Sequence, residues 1–202
     1  MNKTISSDNH SRHRCEWAST APDFPHYHDN EWGFPVDNDQ RLFEKLCLET
    51  FQSGLSWRTI LSKRENFRAA FKGFDFHKVA LFDEKEITEL LNNQGIIRNK
   101  RKILAVINNA KRAIEMIGKE GSLAAFIWRY EPDENTLPPP ETQTTCAESI
   151  ALSKELKKRG WQFVGPTTIY AFMQSMGLIN DHAKDCFMRE KIDLARKGFV
   201  RP

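Results

Sequence analysis

Cys15 and His28 stand as C-x12-H near the start of the chain, and His182 and Cys186 as H-x3-C near its end. The second spacing, i to i+4, stacks two side chains on one face of a helix, where both reach one ion. Two thiolates and two imidazoles are the donor set of a closed, tetrahedral zinc site. Four protein ligands leave no position open for water, so the metal would be structural, tying together two chain ends that otherwise fray. Spacing alone leaves rivals, because 153 residues separate the halves. Cys47 and Cys146 compete for the thiolate positions, His13 and His26 for that of His28, and the plain alternative is buried cysteines with surface histidines.

A second chemical signal is Glu49, which follows Leu46 and Cys47 at the end of an apolar helix. A carboxylate there is costly unless partnered, which marks it as a candidate site residue.

The elements that must hold these groups read as helices, with almost no period-two alternation. Asp37 or Asn38 caps a helix through Leu42, Phe43, Leu46 and Cys47 that Gly54 ends. Thr59–Phe71 reads as a second helix, and Asp75 opens a short third. Asp83 and Glu86 form a capping-box pattern for a helix that stops at Gly95. The longest helix runs from about Asn99 to Gly118, with Ile103, Val106, Ile107, Ala110, Ile114 and Ile117 on one face. Ser122 caps the next. The span 131–148 holds four prolines and reads as a loop, after which helices resume at Ser149 and at Pro166, stopping at Gly160 and Gly177.

The 202 residues suit a single all-α domain over 12–186, as one body or as two lobes flanking a cleft, with a disordered polar extension at 1–11 and an unstructured tail at 187–202. Twenty-two aromatics and 40% apolar residues exclude wholesale disorder. No apolar run nears the roughly 18 residues of a membrane span, and the polar start lacks a signal-peptide core, so a cytoplasmic protein is expected. Residues 1–40 carry seven acids and three bases, a net of −4, so the total of +3 leaves +7 on the rest. Between Gln94 and Ile114 there are six bases and no acid, and Lys154–Arg159 is a second basic cluster. Such patches suit a polyanion, or equally the solvated faces of helices.

Longer stretches carry a resemblance. RCEW at 14–17, YHDNEWG at 27–33, CLE at 47–49 and QSGLSW at 52–57 stand in the first third. KRENF begins at Lys63, GIIRN at Gly95, LKKRG at Leu156, FVGPTT at Phe163 and GLINDH at Gly177. Together they resemble the bacterial 3-methyladenine DNA glycosylase I family, within the helix-hairpin-helix glycosylase superfamily, over about residues 12–186. The resemblance implies one structural zinc on Cys15, His28, His182 and Cys186. It implies a base pocket of Tyr27, Trp32, Glu49 and Trp57, with Glu49 the catalytic group. Trp57 and Trp32 taken alone could equally be core.

The implied chemistry is coherent. 3-Methyladenine in DNA is cationic, so stacking on each ring gains roughly 0.5–2 kcal/mol, and Glu49 would accept from the adenine amino edge. Leu55 is the candidate wedge for the space vacated by the flipped base. Gln52, Gly54, Gly165, Thr167 and Thr168 are the other expected DNA contacts, the last three in a hairpin at a helix N-terminus. The superfamily's catalytic Asp aligns with Asn180, or with Asp181 if the register moves by one. No lysine matches the superfamily's Schiff-base nucleophile. The expected reaction is therefore monofunctional hydrolysis of the glycosidic bond by water, leaving an abasic site as the first step of base excision repair. The expected partner is double-stranded DNA bearing alkylated bases, with no membrane, no nucleotide cofactor and a monomeric state. Thr50 and Phe51 depart from the family pattern beside the pocket. A damage-binding protein without turnover and a zinc hydrolase unrelated to DNA are the competing readings.

Overall fold

The computed structural model describes residues 13–202 and contains no β-strand among them; the expected disordered extension at 1–11 lies outside these residues. A 3-10 turn at Glu16–Ser19 leads into α1 (Phe24–Asn30). There follow α2 (Asp39–Gln52), α3 (Trp57–Leu61), α4 (Arg64–Ala70) and, after a 3-10 turn at Lys72–Phe74, α5 (Phe76–Val79). Next come α6 (Glu84–Asn92), α7 (Lys100–Glu120) and α8 (Leu123–Trp128). After the proline-rich stretch the chain forms α9 (Ala147–Lys158), α10 (Pro166–Ser175) and α11 (Met188–Gly198).

Several boundaries follow from the caps. Asn38, Asp75, Asp83, Asn99 and Ser122 each accept a backbone N–H of the first turn they precede. Asp83 and Glu86 complete a reciprocal capping box, the Glu86 carboxylate accepting from Asp83 N at 3.0 Å. The expected helix over 59–71 is two helices. Its chain breaks at Ser62–Lys63, so that Ile60 and Phe67 both reach the core while Arg64 turns to pair with Glu31 at 2.6 Å.

The main core gathers the phenylalanines Phe43, Phe51, Phe67, Phe71, Phe74, Phe126 and Phe172, all fully buried. α2 sits at its centre, packed on α7, α8 and α10. Phe51 packs on Phe67 at 4.5 Å between ring centroids, tilted by 42°, so this residue beside the pocket is a core side chain and does not line it. A smaller cluster joins Cys15, Tyr27, Trp32, Cys186, Met188 and Ile192, and Trp57 packs against both cores.

The C-terminal segment differs from the sequence expectation. Rather than an unstructured tail, 187–202 contains α11, which buries Met188, Ile192 and Arg196. Arg196 reaches Glu131 at 3.0 Å and Glu134 at 2.6 Å, and Arg201 reaches Glu131 at 2.7 Å, so these two of the tail's cations are used in docking the helix. The basic pattern hid this because the buried face has only two apolar members, Met188 and Ile192.

One glycine lets the N-terminal strap pass close to the end of α10. Gly177, at φ +80°, leaves room for the backbone of Pro35, whose N would lie 2.4 Å from an added Cβ. Gly33 N donates to Ser175 O and Val36 N to Met176 O across the same junction.

Candidate base pocket and metal cluster

α1 presents consecutive residues to two neighbouring sites: Tyr27 to a cavity and His28 to a cysteine–histidine cluster. The cavity, about 440 Å³, has walls from Trp17, Phe24, Trp32, Trp57 and Tyr170 and polar groups from Glu49, Gln52, Gln174 and Asp181. That volume suits a purine-sized ligand in a largely apolar, aromatic site. Tyr27 and Trp57 lie 5.3 Å apart between centroids, tilted by 44°. Trp17 meets Trp32 edge to face at 5.0 Å. All four residues expected around the base, Tyr27, Trp32, Glu49 and Trp57, therefore line one cavity. The Trp57 indole N–H is buried without a hydrogen-bond partner among the described residues.

The sequence reading missed Lys45. It stands one helical turn before Glu49 on α2, is buried, and places Nζ 2.8 Å from Glu49 Oε1. It also donates to the Tyr27 hydroxyl at 2.9 Å and lies 3.4 Å from the Trp57 ring centroid. Burial by itself would lower the Lys45 pKa, but Glu49 and Tyr27 outweigh it and hold it above the ordinary lysine value. The signal was available: a lysine four residues before a carboxylate on an otherwise apolar helix face.

Of the expected DNA contacts, Leu55 is 42% exposed, so it is not an ordinary core leucine. It caps the turn between α2 and α3, where Gly54 takes φ +78°. Lys102 fixes this turn from below, donating to Phe51 O at 2.8 Å and Ser53 O at 2.6 Å. That removes Lys102 from the expected basic face, which retains exposed Arg98, Lys100, Arg101 and Lys111. Gln52 and Thr167 line the cavity rim. Gly165 is the N-cap of α10, with Pro166 opening the helix and Thr168 half-buried in its first turn. α9 and α10 pack against each other, joined through Arg159–Gly165.

Asn180 does not face the cavity. Its amide N–H donates to Arg189 O at 3.0 Å and to Asp193 Oδ1 at 2.6 Å on the α11 side. The adjacent Asp181 does line the cavity, accepting Glu141 N–H at 3.0 Å and the Gln174 amide at 2.5 Å. Burial raises the Asp181 pKa despite those donors.

Behind Trp32 lies the cluster. Ligand atoms of Cys15, His28 and Cys186 all lie within 4.8 Å of one another, each residue buried. Cys186 Sγ is 3.4 Å from His28 Nε2. Asp29 Oδ1 accepts from His28 Nδ1 at 2.8 Å, which leaves Nε2 as the lone-pair atom aimed at the thiol. The His182 ring packs on that of His28 at 4.9 Å and on Trp32 at 4.5 Å, outside the mutual reach of the other three donors. Its Nδ1 meets Asn180 Oδ1 at 2.9 Å, which fixes the proton there, and its Nε2 is buried and unpartnered among the described residues. Burial pushes the His182 pKa down to about 3, so the ring is neutral. Burial also pushes the Cys15 thiol up, so a thiolate there calls for a cation beside it. Cys186 does not share a helix with His182; the segment is a turn closed by Cys186 N to Ala183 O at 3.0 Å. The cysteine rivals drop out by position, Cys47 in the main core and Cys146 at the start of α9, and the histidine gathered with the two thiols is His28 rather than His13 or His26.

Residues 17–189 match the family model described as methyladenine glycosylase. The chain is 45% identical over 177 residues to DNA-3-methyladenine glycosylase 1 of Escherichia coli (strain K12), covering 86% of this chain and 95% of that protein. It is 46% identical over 177 residues to the DNA-3-methyladenine glycosylase of Haemophilus influenzae, covering 86% and 96%. A solved structure of 3-methyladenine DNA glycosylase I from Staphylococcus aureus superposes with a TM-score of 0.80 at 32% identity, over 88% of this chain and 97% of that one. The chain belongs to the methyladenine glycosylase family.

Proposed function

We propose that the protein is a DNA repair glycosylase that flips 3-methyladenine out of alkylated duplex DNA and hydrolyses its glycosidic bond. The observation that carries this reading is the carboxylate of Glu49 set among Tyr27, Trp32 and Trp57 in one purine-sized cavity. Aromatic faces stabilise a cationic ring, and the carboxylate accepts from its amino edge. Leu55, exposed at the α2–α3 turn, enters the gap left by the flipped nucleotide. The N-terminus of α10, with Gly165 and Thr168, holds a backbone phosphate in the manner of a helix-hairpin-helix, and the exposed bases of α7 add sequence-independent attraction.

An N3-alkylated adenine already carries positive charge, so it departs as a neutral base without protonation. Water supplies the nucleophile, and the product is an abasic site. The pocket lysine, Lys45, is held as an ammonium by Glu49 and Tyr27 and carries no lone pair for Schiff-base chemistry. Strand cleavage by the pure protein would contradict this monofunctional reading.

Cys15, His28 and Cys186, whose donor atoms are already gathered, would hold one zinc ion, and His182, whose buried Nε2 has no partner among the described residues, would move in as the fourth ligand, in a structural role that joins the N-terminal strap to the segment before α11. The orphaned His182 Nε2 and the two buried thiols are the groups a tetrahedral ion satisfies.

The test is release of free bases from methylated duplex DNA, separated by chromatography. Release of 3-methyladenine with 7-methylguanine left in place supports the assignment. No release from a folded, zinc-loaded protein overturns it in favour of damage binding alone.

A further inference from the structure

The base pocket already contains a cation. The Lys45 ammonium lies over the Trp57 ring at 3.4 Å from the centroid, beside the Tyr27 ring at 5.2 Å, and 2.8 Å from Glu49 Oε1. These are three of the four groups the proposed function assigns to the positive charge of an alkylated adenine. An ammonium over an indole face and on a buried carboxylate uses the same attraction that a cationic ring would use.

Nor does the lysine have a better partner behind it. Lys45 also borders a small void of about 30 Å³. The carboxylates on that side are taken, Glu31 by Arg64 at 2.6 Å and Glu44 by Arg68 at 2.7 Å. Withdrawing the ammonium into the void would therefore leave Glu49 for acids that are already paired, beside two guanidinium groups.

We propose that Lys45 is a specificity-determining residue: its ammonium neutralises Glu49, occupies the pocket's cation position, and tilts recognition from the cation that 3-methyladenine is while joined to DNA toward the uncharged base, with its ring acceptor, that it becomes on leaving. The inference rests on the base-pocket reading above. The paired Lys45 and Glu49 present a donor beside an acceptor, which complements a neutral purine edge carrying a ring nitrogen and an amino group. A fixed cation entering the same space meets like charge at close range in a site of low dielectric. Glu49 alone carries a charge of −1 against the base, whereas the Lys45–Glu49 pair carries none; Asp181 and Glu141 add acidic groups elsewhere in the lining.

The experiment is calorimetric titration of the full-length, zinc-loaded protein with two probes. One is free 3-methyladenine in mildly alkaline solution, where it is uncharged; the other is 3,9-dimethyladeninium, whose charge is permanent. Lys45→Met removes the charge at similar volume, and Lys45→Gln removes it while keeping a donor. Both variants are expected to shift the ratio of affinities at least tenfold toward the fixed cation. A purely structural role for Lys45 would weaken both probes together and leave the ratio unchanged, which overturns the proposal even if one variant folds poorly. If wild type binds neither probe, the base-pocket reading itself fails and the inference falls with it.

Discussion

Glu49 and Lys45 make one unit. They lie one helical turn apart on α2 and place opposite charges in an aromatic cavity. Glu49→Gln deletes the charged acceptor for the base and leaves the Lys45 ammonium without a counter-charge, held by the Tyr27 hydroxyl, the Trp57 face and a neutral amide. The loss of a charge-assisted hydrogen bond costs about 1.5–3 kcal/mol. Excision of 3-methyladenine is expected to slow roughly ten- to hundredfold, in single-turnover kinetics of base release. Unchanged kinetics would remove Glu49 from the site. At the cluster, Cys186→Ala deletes one thiolate of the proposed zinc set. Metal content by atomic absorption is expected to fall from one equivalent to none. A loss of about 3 kcal/mol or more would lower Tm by roughly 6–12 °C in a protein of this size. A metal-free variant as heat-stable as the parent would refute the zinc staple.

At the scale of elements, α11 is the part that sequence patterning concealed. Its buried Ile192 packs in the small cluster with Cys15, Tyr27, Trp32 and Met188, immediately behind the cavity wall. Ile192→Ala opens a void in that cluster and is expected to cost about 2–5 kcal/mol in urea denaturation. Because Tyr27 and Trp32 belong to the same cluster, affinity for 3-methyladenine should fall as well. Full stability with an alanine there would mean that α11 does not support the pocket. The turn between α2 and α3 shows a related hierarchy. Leu55 projects outward from a turn that Lys102 on α7 secures by donating to the carbonyls at the C-terminal end of α2.

For the whole molecule, acid stability depends on a few long-range ion pairs. Burial pushes Glu31 and Glu131 up, yet Arg64 holds the first and Arg201 with Arg196 the second below the usual carboxylate range. A carboxylate depressed in the folded state contributes its full stabilisation above the unfolded value of 4.5 and loses it as pH falls through the lower folded value. Urea midpoints should therefore be flat above that range and decline below it. Arg196→Met should flatten the acid limb by removing one clamp on Glu131. Among the described residues no helix is long and apolar enough to cross a membrane.

Sequence by itself determined the local grammar. Caps at Asn38, Asp83, Asn99 and Ser122 start helices because a side-chain oxygen three residues before a free N–H is a local interaction, legible without a fold. Cys15, His28, Cys186, Tyr27, Trp32, Glu49 and Trp57 were likewise legible, as residue types with a chemistry and as members of specific motifs. Their assembly was not, since His28 and Cys186 are 158 positions apart and meet only through packing. Only the tertiary structure decided that Lys45 points into the cavity, that Lys102 leaves the basic face, and that Asn180 supports His182 while Asp181 lines the pocket. A long flexible side chain reads as solvent-exposed in any local pattern. Which partner it finds is settled by elements that fold against it from elsewhere in the chain.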